Sequence, residues 1–244
     1  MVARPTDIAM RVPAPAKLFI LSPARCDGRR AQALLNPAAE FPLAVQLRSV
    51  EGATIGEAFT FLSGLYFRGK LTYARAHASN GGGTTEIRII TTNRGLVAPE
   101  ERVGPDDLEE FACVDLAEAG ASFERPLLRD ADQLRTTLGA DALAVLLGSI
   151  ATNKYVAPLM RVFGDRLVFP REFIGRGDMS RGGLLLRYAA EVKELEYVPV
   201  GTAVRHGKRP PKLEPIRAGA APTPAAEGVP AGTPPARGAA RARK

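Results

Sequence analysis

Short apolar runs alternate along this chain with longer stretches in which apolar positions recur every three or four residues. Residues 17–21, Lys-Leu-Phe-Ile-Leu, form the first such run and are stopped by Ser22-Pro23, as expected of a buried strand ending in a loop. Residues 31–65 read as helical runs broken at Pro37, Pro42 and Gly52, with Phe59, Leu62 and Tyr66 at helical spacing. Residues 67–78 continue in the same style until Asn80-Gly-Gly-Gly83 ends the helix. The β-branched cluster Ile87, Ile89, Ile90 and Thr91 predicts a second strand over 86–92, followed by a loop at Asn93-Arg-Gly95.

A third apolar run spans 111–116 and would place Cys113 in the core. Residues 127–138 have helical periodicity and stop at Gly139. Residues 143–147 read as a fully buried strand, 154–163 as the helix after it, and 166–169 as another short strand. Strand and helix alternating at this spacing predict an α/β fold with a mostly parallel central sheet and helices packed on it.

Composition adds a boundary. From Pro210 the remaining 35 residues hold eight Pro, ten Ala and four Gly with no aromatic residue, too little apolar surface to offset the entropy of ordering. The expected organisation is a flexible N-terminus over 1–16, one α/β domain over 17–209, and a disordered basic tail over 210–244.

Charge changes less than its sum of +7 suggests. Residues 1–204 carry 24 Lys and Arg against 24 Asp and Glu, and residues 205–244 carry nine against two. The tail alone therefore supplies the excess, as a solubilising extension or as an electrostatic arm for nucleic acid. Residues 1–13 lack the continuous apolar stretch of a secretory signal, and every apolar run falls far short of the roughly 20 residues that span a bilayer. A cytoplasmic protein without a membrane partner is expected. The two cysteines and two histidines show no zinc-ligand spacing. No cofactor is indicated, although Asp27, Glu172 and Asp178 leave a magnesium site open.

Four segments could carry chemistry. Residues 64–71 contain the G-x4-G-K core of a phosphate-binding loop, but Leu71 stands where magnesium needs Ser or Thr, and the segment reads as helix. Cys26 follows the first strand with Arg25, Arg29 and Arg30 nearby, a setting that favours a thiolate. Residues 148–155, Gly-Ser-Ile-Ala-Thr-Asn-Lys-Tyr, lie between a strand and a helix, where backbone N–H groups with Ser149, Thr152 and Lys154 can bind an anion or merely cap the helix. Residues 175–183 hold four glycines among Arg176, Asp178, Ser180 and Arg181, the composition of a ligand clamp or of a plain surface loop.

Taken in order, these loops resemble the peroxide-stress YaaA family. Residues 21–25, Leu-Ser-Pro-Ala-Arg, are similar to that family's I-S-P-A-K, with Arg25 in the lysine position. Residues 63–66, Ser-Gly-Leu-Tyr, resemble its K-G-x-x-Y segment. Residues 93–99 are similar to its G-L-Y-G-x-x-x-P turn, and their Gly95, Leu96 and Pro99 fit better the S-A-x-x-G-L-x-x-P turn of related uncharacterised domains. Residues 147–155 resemble N-L-A-S-x-E-Y, with Lys154 replacing the acidic residue, and residues 175–181 resemble A-R-G-x-M-S-R.

The resemblance implies a cytosolic α/β protein that binds DNA and protects it under peroxide stress. Its loops at Ser22, Gly95, Ser149 and Gly175 are expected to converge at the carboxyl edge of a parallel sheet, where open α/β folds bind ligands. In the leading reading the partner is DNA or a nucleotide, with Arg25, Lys154, Arg176 and Arg181 on phosphate and Tyr66 or Tyr155 against a base or sugar. A second reading is an enzyme acting on a nucleobase or nucleoside, with Asp178 as acid, base or charge stabiliser. A third is a non-catalytic protein that recruits an acidic partner through its tail.

Overall fold

The structure, a computed structural model, describes residues 15–80, 84–114, 120–139, 141–151, 153–205 and 207–213. The elements in chain order are β1 (Lys17–Leu21), α1 (Arg29–Leu35), α2 (Pro42–Leu47), β2 (Ala53–Thr54), α3 (Ile55–Ser63), α4 (Leu65–Asn80), β3 (Thr85–Ile90), β4 (Leu96–Val97), β5 (Arg102–Val103), α5 (Pro105–Cys113), α6 (Gly120–Leu138), β6 (Leu143–Leu147), α7 (Val156–Phe163), β7 (Leu167–Pro170), α8 (Asp178–Ala190) and β8 (Tyr197–Pro199).

Six strands form one sheet in the order β4-β3-β1-β6-β7-β8. The four inner strands are parallel, and the edge strands β4 and β8 run antiparallel to their neighbours. Leu18 to Leu21 of β1 and Ala144 to Leu147 of β6 are buried on both sides of the sheet, which is why both strands read as unbroken apolar runs. α4 lies against β1 and β3 with α8 packed along it, whereas α6 and α7 pack on each other and reach β4 and β7. With β1 buried on both faces, these two helix pairs cover opposite faces of the sheet.

Several helix boundaries have local causes. Thr54 and Glu57 close a capping box at the start of α3: Thr54 Oγ1 accepts from Glu57 N at 3.2 Å, and Glu57 Oε2 accepts from Thr54 N at 3.2 Å. Pro42 does not break a helix but opens α2 at its first turn, where its missing N–H costs nothing. α4 and α8 approach closely because each presents a glycine at the crossing. A Cβ on Gly182 would lie 2.6 Å from Leu65 O, and one on Gly69 would lie 2.6 Å from Gly182 O.

Two expectations are corrected here. The apolar run 111–116 is not a strand as far as it is described: Phe111 and Cys113 belong to α5, whose Asp107 carboxylate accepts from Gly104 N at 2.6 Å. Phe111 faces the core and Cys113 is exposed, as helical spacing requires. Residues 175–183 are mostly helix, because α8 starts at Asp178. Residues 81–83, 1–14 and 214–244, which hold the expected glycine turn, most of the N-terminal segment and most of the basic tail, lie outside the described residues. No helix among the described residues is long and apolar enough to cross a membrane.

Candidate functional site

The strand order fixes where a crevice must open. The chain leaves β1 for β3 on one side of it and returns past β1 to β6, from which it goes on to β7 on the other side. Between β1 and β6 the winding reverses, and loops leaving the carboxyl ends of such a strand pair diverge and leave a gap. Ser22 follows β1 and Gly148-Ser149 follow β6, so these loops flank the gap, tied together by Ser22 N donating to Leu147 O at 3.1 Å.

A crevice of about 400 Å3 occupies this position, lined among others by Ser22, Arg25, Tyr66, Lys70, Tyr155 and Asp178. Its floor is polar yet buried. Ser22 is 7% exposed, Lys70 1% and Tyr66 6%. Lys70 Nζ donates to Ser22 O at 2.6 Å and lies 2.9 Å from Ser22 Oγ, and it sits 4.7 Å from the ring centres of both Tyr66 and Phe67. Burial penalises its charged form and pushes the amine down from 10.5 to about 7, with Asp178 opposing that shift and Arg181 adding to it.

Tyr66 Oη is one of three buried side-chain polar atoms without a hydrogen-bond partner among the described residues, with Asn93 Oδ1 and Glu172 Oε2. Of these three residues, only Tyr66 lines this crevice. Burial drives its phenol well above the ordinary range, and Arg181, whose guanidinium approaches it without completing a hydrogen bond, works the other way. Tyr155 closes the opposite wall by donating from Oη to Ser149 O at 3.0 Å, and burial raises its phenol as well. Gly148 keeps the floor open, since a Cβ there would meet Ser22 Cβ at 2.8 Å and Ser22 Oγ at 3.0 Å.

The residues expected to share this crevice divide into two groups. Ser22, Arg25, Tyr66, Ser149, Tyr155 and Asp178 all line it. Arg25 and Asp178 form its outer lip, with side chains 85% and 70% exposed. Arg181 lies just behind, donating to Phe173 O at 3.1 and 3.3 Å and standing 3.8 Å from Asp178 Oδ1. Gly95, Lys154, Arg176 and Ser180 are elsewhere. Gly95 has φ +77°, and a Cβ there would run into Asp130 and the Pro126 carbonyl of α6, so this glycine serves the tight turn between β3 and β4. Lys154 faces a neighbouring hollow of about 520 Å3 with Asp27, Phe111 and Cys113. Arg176 turns outward, donating to Glu172 O at 3.0 Å, Ser180 Oγ at 3.2 Å and Pro211 O at 3.3 Å.

Cys26 does not fit a thiolate. It is buried, and burial with the nearby Asp27 charge pushes its thiol up to about 12, while the Arg25 guanidinium is taken up by Asp27. Among the described residues of the 148–155 loop no side chain caps α7, and Thr152 lies outside the described residues. Asp27, Glu172 and Asp178 do not gather with other ligands into a metal-binding cluster among the described residues.

Lys70 is the site residue that sequence reading passed over. It was visible only as the last residue of a rejected phosphate-loop pattern, and α4 shows why the pattern failed, since it is continuous helix there. The available signal was spacing: Tyr66, Lys70, Tyr73 and His77 recur at four, three and four residues, on the same stripe as the apolar positions before them. A lysine on a core-facing stripe is rare enough to mark.

Comparison of the chain with family models, with curated proteins and with solved structures finds no match.

Proposed function

We propose that the crevice between β1 and β6 binds a nucleotide, free or as an unstacked residue of DNA, in a protein of the kind the YaaA resemblance implies. One observation carries the reading: the Tyr66 hydroxyl is buried, has no hydrogen-bond partner among the described residues, and lines a cavity at the place where open α/β sheets take ligands. An unmet buried hydroxyl costs about 1–3 kcal/mol, a cost that a ligand group meeting it removes.

The size of the cavity lies within the range of about 300–1,000 Å3 usual for small-molecule sites, which suits a nucleotide and excludes a duplex. Arg25 at the lip is the cation placed to meet phosphate, by exchanging Asp27 for it. Tyr66 and Tyr155 supply hydroxyls to the base or sugar. Asp178 is the crevice's carboxylate and favours a second reading, chemistry on the bound nucleoside, in which Asp178→Asn would bind ligand and lose turnover.

The test is a titration of the full chain with mononucleotides and with single- and double-stranded oligonucleotides over a salt series. Mononucleotides and single strands should bind, with Arg25→Ala weakening both and flattening the salt dependence. Absence of affinity for every one of them in low salt would remove the proposal.

A further inference from the structure

Ser22 and Lys70 form a pair that ligand binding does not require. We propose that Ser22 Oγ is a nucleophile and Lys70 Nζ its base, so that the crevice cleaves an ester carried by its ligand through an acyl-serine intermediate. The inference rests on the crevice being a ligand site, not on that ligand being a nucleotide.

The first argument is what Lys70 lacks. Among the described residues no carboxylate lies within ion-pairing distance of its Nζ, so this ammonium is buried without a counter-ion, a costly arrangement for a strut that only braces a loop. Asp178 and Arg181, the charged groups that face it from α8, act at longer range and in opposite senses, and Tyr66, Phe67 and Ser22 supply no charge. The second argument is geometry. Once neutral, the amine still donates to Ser22 O at 2.6 Å, and its lone pair needs a donor; Ser22 Oγ–H at 2.9 Å is the donor in reach. A hydroxyl giving its proton to a buried lysine is the Ser-Lys form of nucleophile activation.

The third argument is what surrounds the hydroxyl. Gly148 leaves open the space above Ser22 that a side chain would fill. The unpartnered Tyr66 hydroxyl is a donor for charge that develops on a carbonyl oxygen.

The chemistry balances without a further co-reactant. Ser22 Oγ attacks the ester carbon and its proton passes to Lys70 Nζ. The C–O bond to the leaving alcohol breaks, and Lys70 returns the proton to that oxygen. Water then adds to the acyl carbon and gives a proton to Lys70, the bond from that carbon to Ser22 Oγ breaks, and Lys70 returns the proton to Ser22 Oγ as the carboxylic acid leaves.

The experiment uses an alkyl fluorophosphonate on the full chain without nucleotide, read by intact mass and peptide mapping. One adduct per chain is expected on Ser22, forming faster as pH rises through about 7 and absent in Ser22→Ala. Lys70→Met should slow labelling by about 100-fold while thermal melting shows it folded. If that variant does not fold, the pH profile of the native chain decides in its place. A folded chain that gives no Ser22 adduct between about pH 6 and pH 9, or one whose labelling ignores pH or survives Lys70→Met unchanged, leaves Lys70 a structural brace and overturns the proposal. Because nucleotide is absent from the assay, its failure leaves the binding titration untouched, and failed titration leaves the labelling result standing.

Discussion

A single polar stripe on α4 behaves in opposite ways at its two ends. Near the C-terminal end, Tyr73 Oη is 2.6 Å from Tyr197 Oη and accepts from Leu195 N at 2.9 Å, and His77 Nε2 is 3.0 Å from Lys193 O. Those buried groups are met by the chain itself, and together they fasten the segment before β8 to the helix. Near the N-terminal end, among the described residues, Tyr66 Oη has no hydrogen-bond partner and Lys70 has no counter-ion. The residue types are alike and so is the burial. What differs is whether the described fold meets each group's hydrogen bonds and charge, and on the proposed reading that separates polar groups that hold the structure from polar groups that serve a ligand.

The largest effect should come from disturbing the platform both ends share. Gly182→Ala drives a Cβ into the Leu65 carbonyl and Tyr66 Cα across the helix crossing, and should cost about 3 kcal/mol in urea denaturation. A smaller loss would mean that α8 can shift without strain and that the crevice wall is soft.

Next comes the pH dependence of the N-terminal end. Lys70 has a folded pKa near 7 against 10.5 unfolded, so between those values the unfolded chain holds a proton the folded chain does not. Stability therefore rises with pH through this window, and the penalty is fully present below about 7. Over about two pH units above neutrality the rise should be roughly 2–3 kcal/mol at most, and Lys70→Met should abolish it. A flat profile in the native chain would place Lys70 with the satisfied groups.

At the C-terminal end, Tyr73→Phe strands the Leu195 N–H and the Tyr197 hydroxyl, and should cost about 2 kcal/mol by the same denaturation. The smallest effect should be that of Tyr66→Phe, which removes a buried hydroxyl with no bond to lose among the described residues, and should cost no stability and recover about 1 kcal/mol of the burial penalty.

The sequence made the sheet legible and much of the site obscure, for one physical reason. Strands buried on both faces leave continuous apolar runs, so the segments at 17–21 and 143–147 coincide with β1 and β6. The two-residue strands β2, β4 and β5 are too short to leave any period, and all three pass unseen. Ser22, Ser149 and Tyr155 were found because they follow or flank those legible strands. Glycine-rich composition misled at 175–183: Gly175 takes φ +72° before α8, whereas Gly182 serves the crossing with α4, and composition does not distinguish these uses. Lys70 stayed hidden because its partner Ser22 is 48 residues away and meets it only once α4 packs on β1.

The most direct measurement sets the two tyrosines against each other, with nucleotide titration and urea denaturation of the full chain carrying Tyr66→Phe or Tyr73→Phe. The expected result is a double dissociation, in which Tyr66→Phe loses no stability but about tenfold in nucleotide affinity, and Tyr73→Phe loses stability and keeps its affinity. Equal losses of stability, or nucleotide binding indifferent to Tyr66→Phe, would show that both ends of the stripe are structural and that the crevice is not the site.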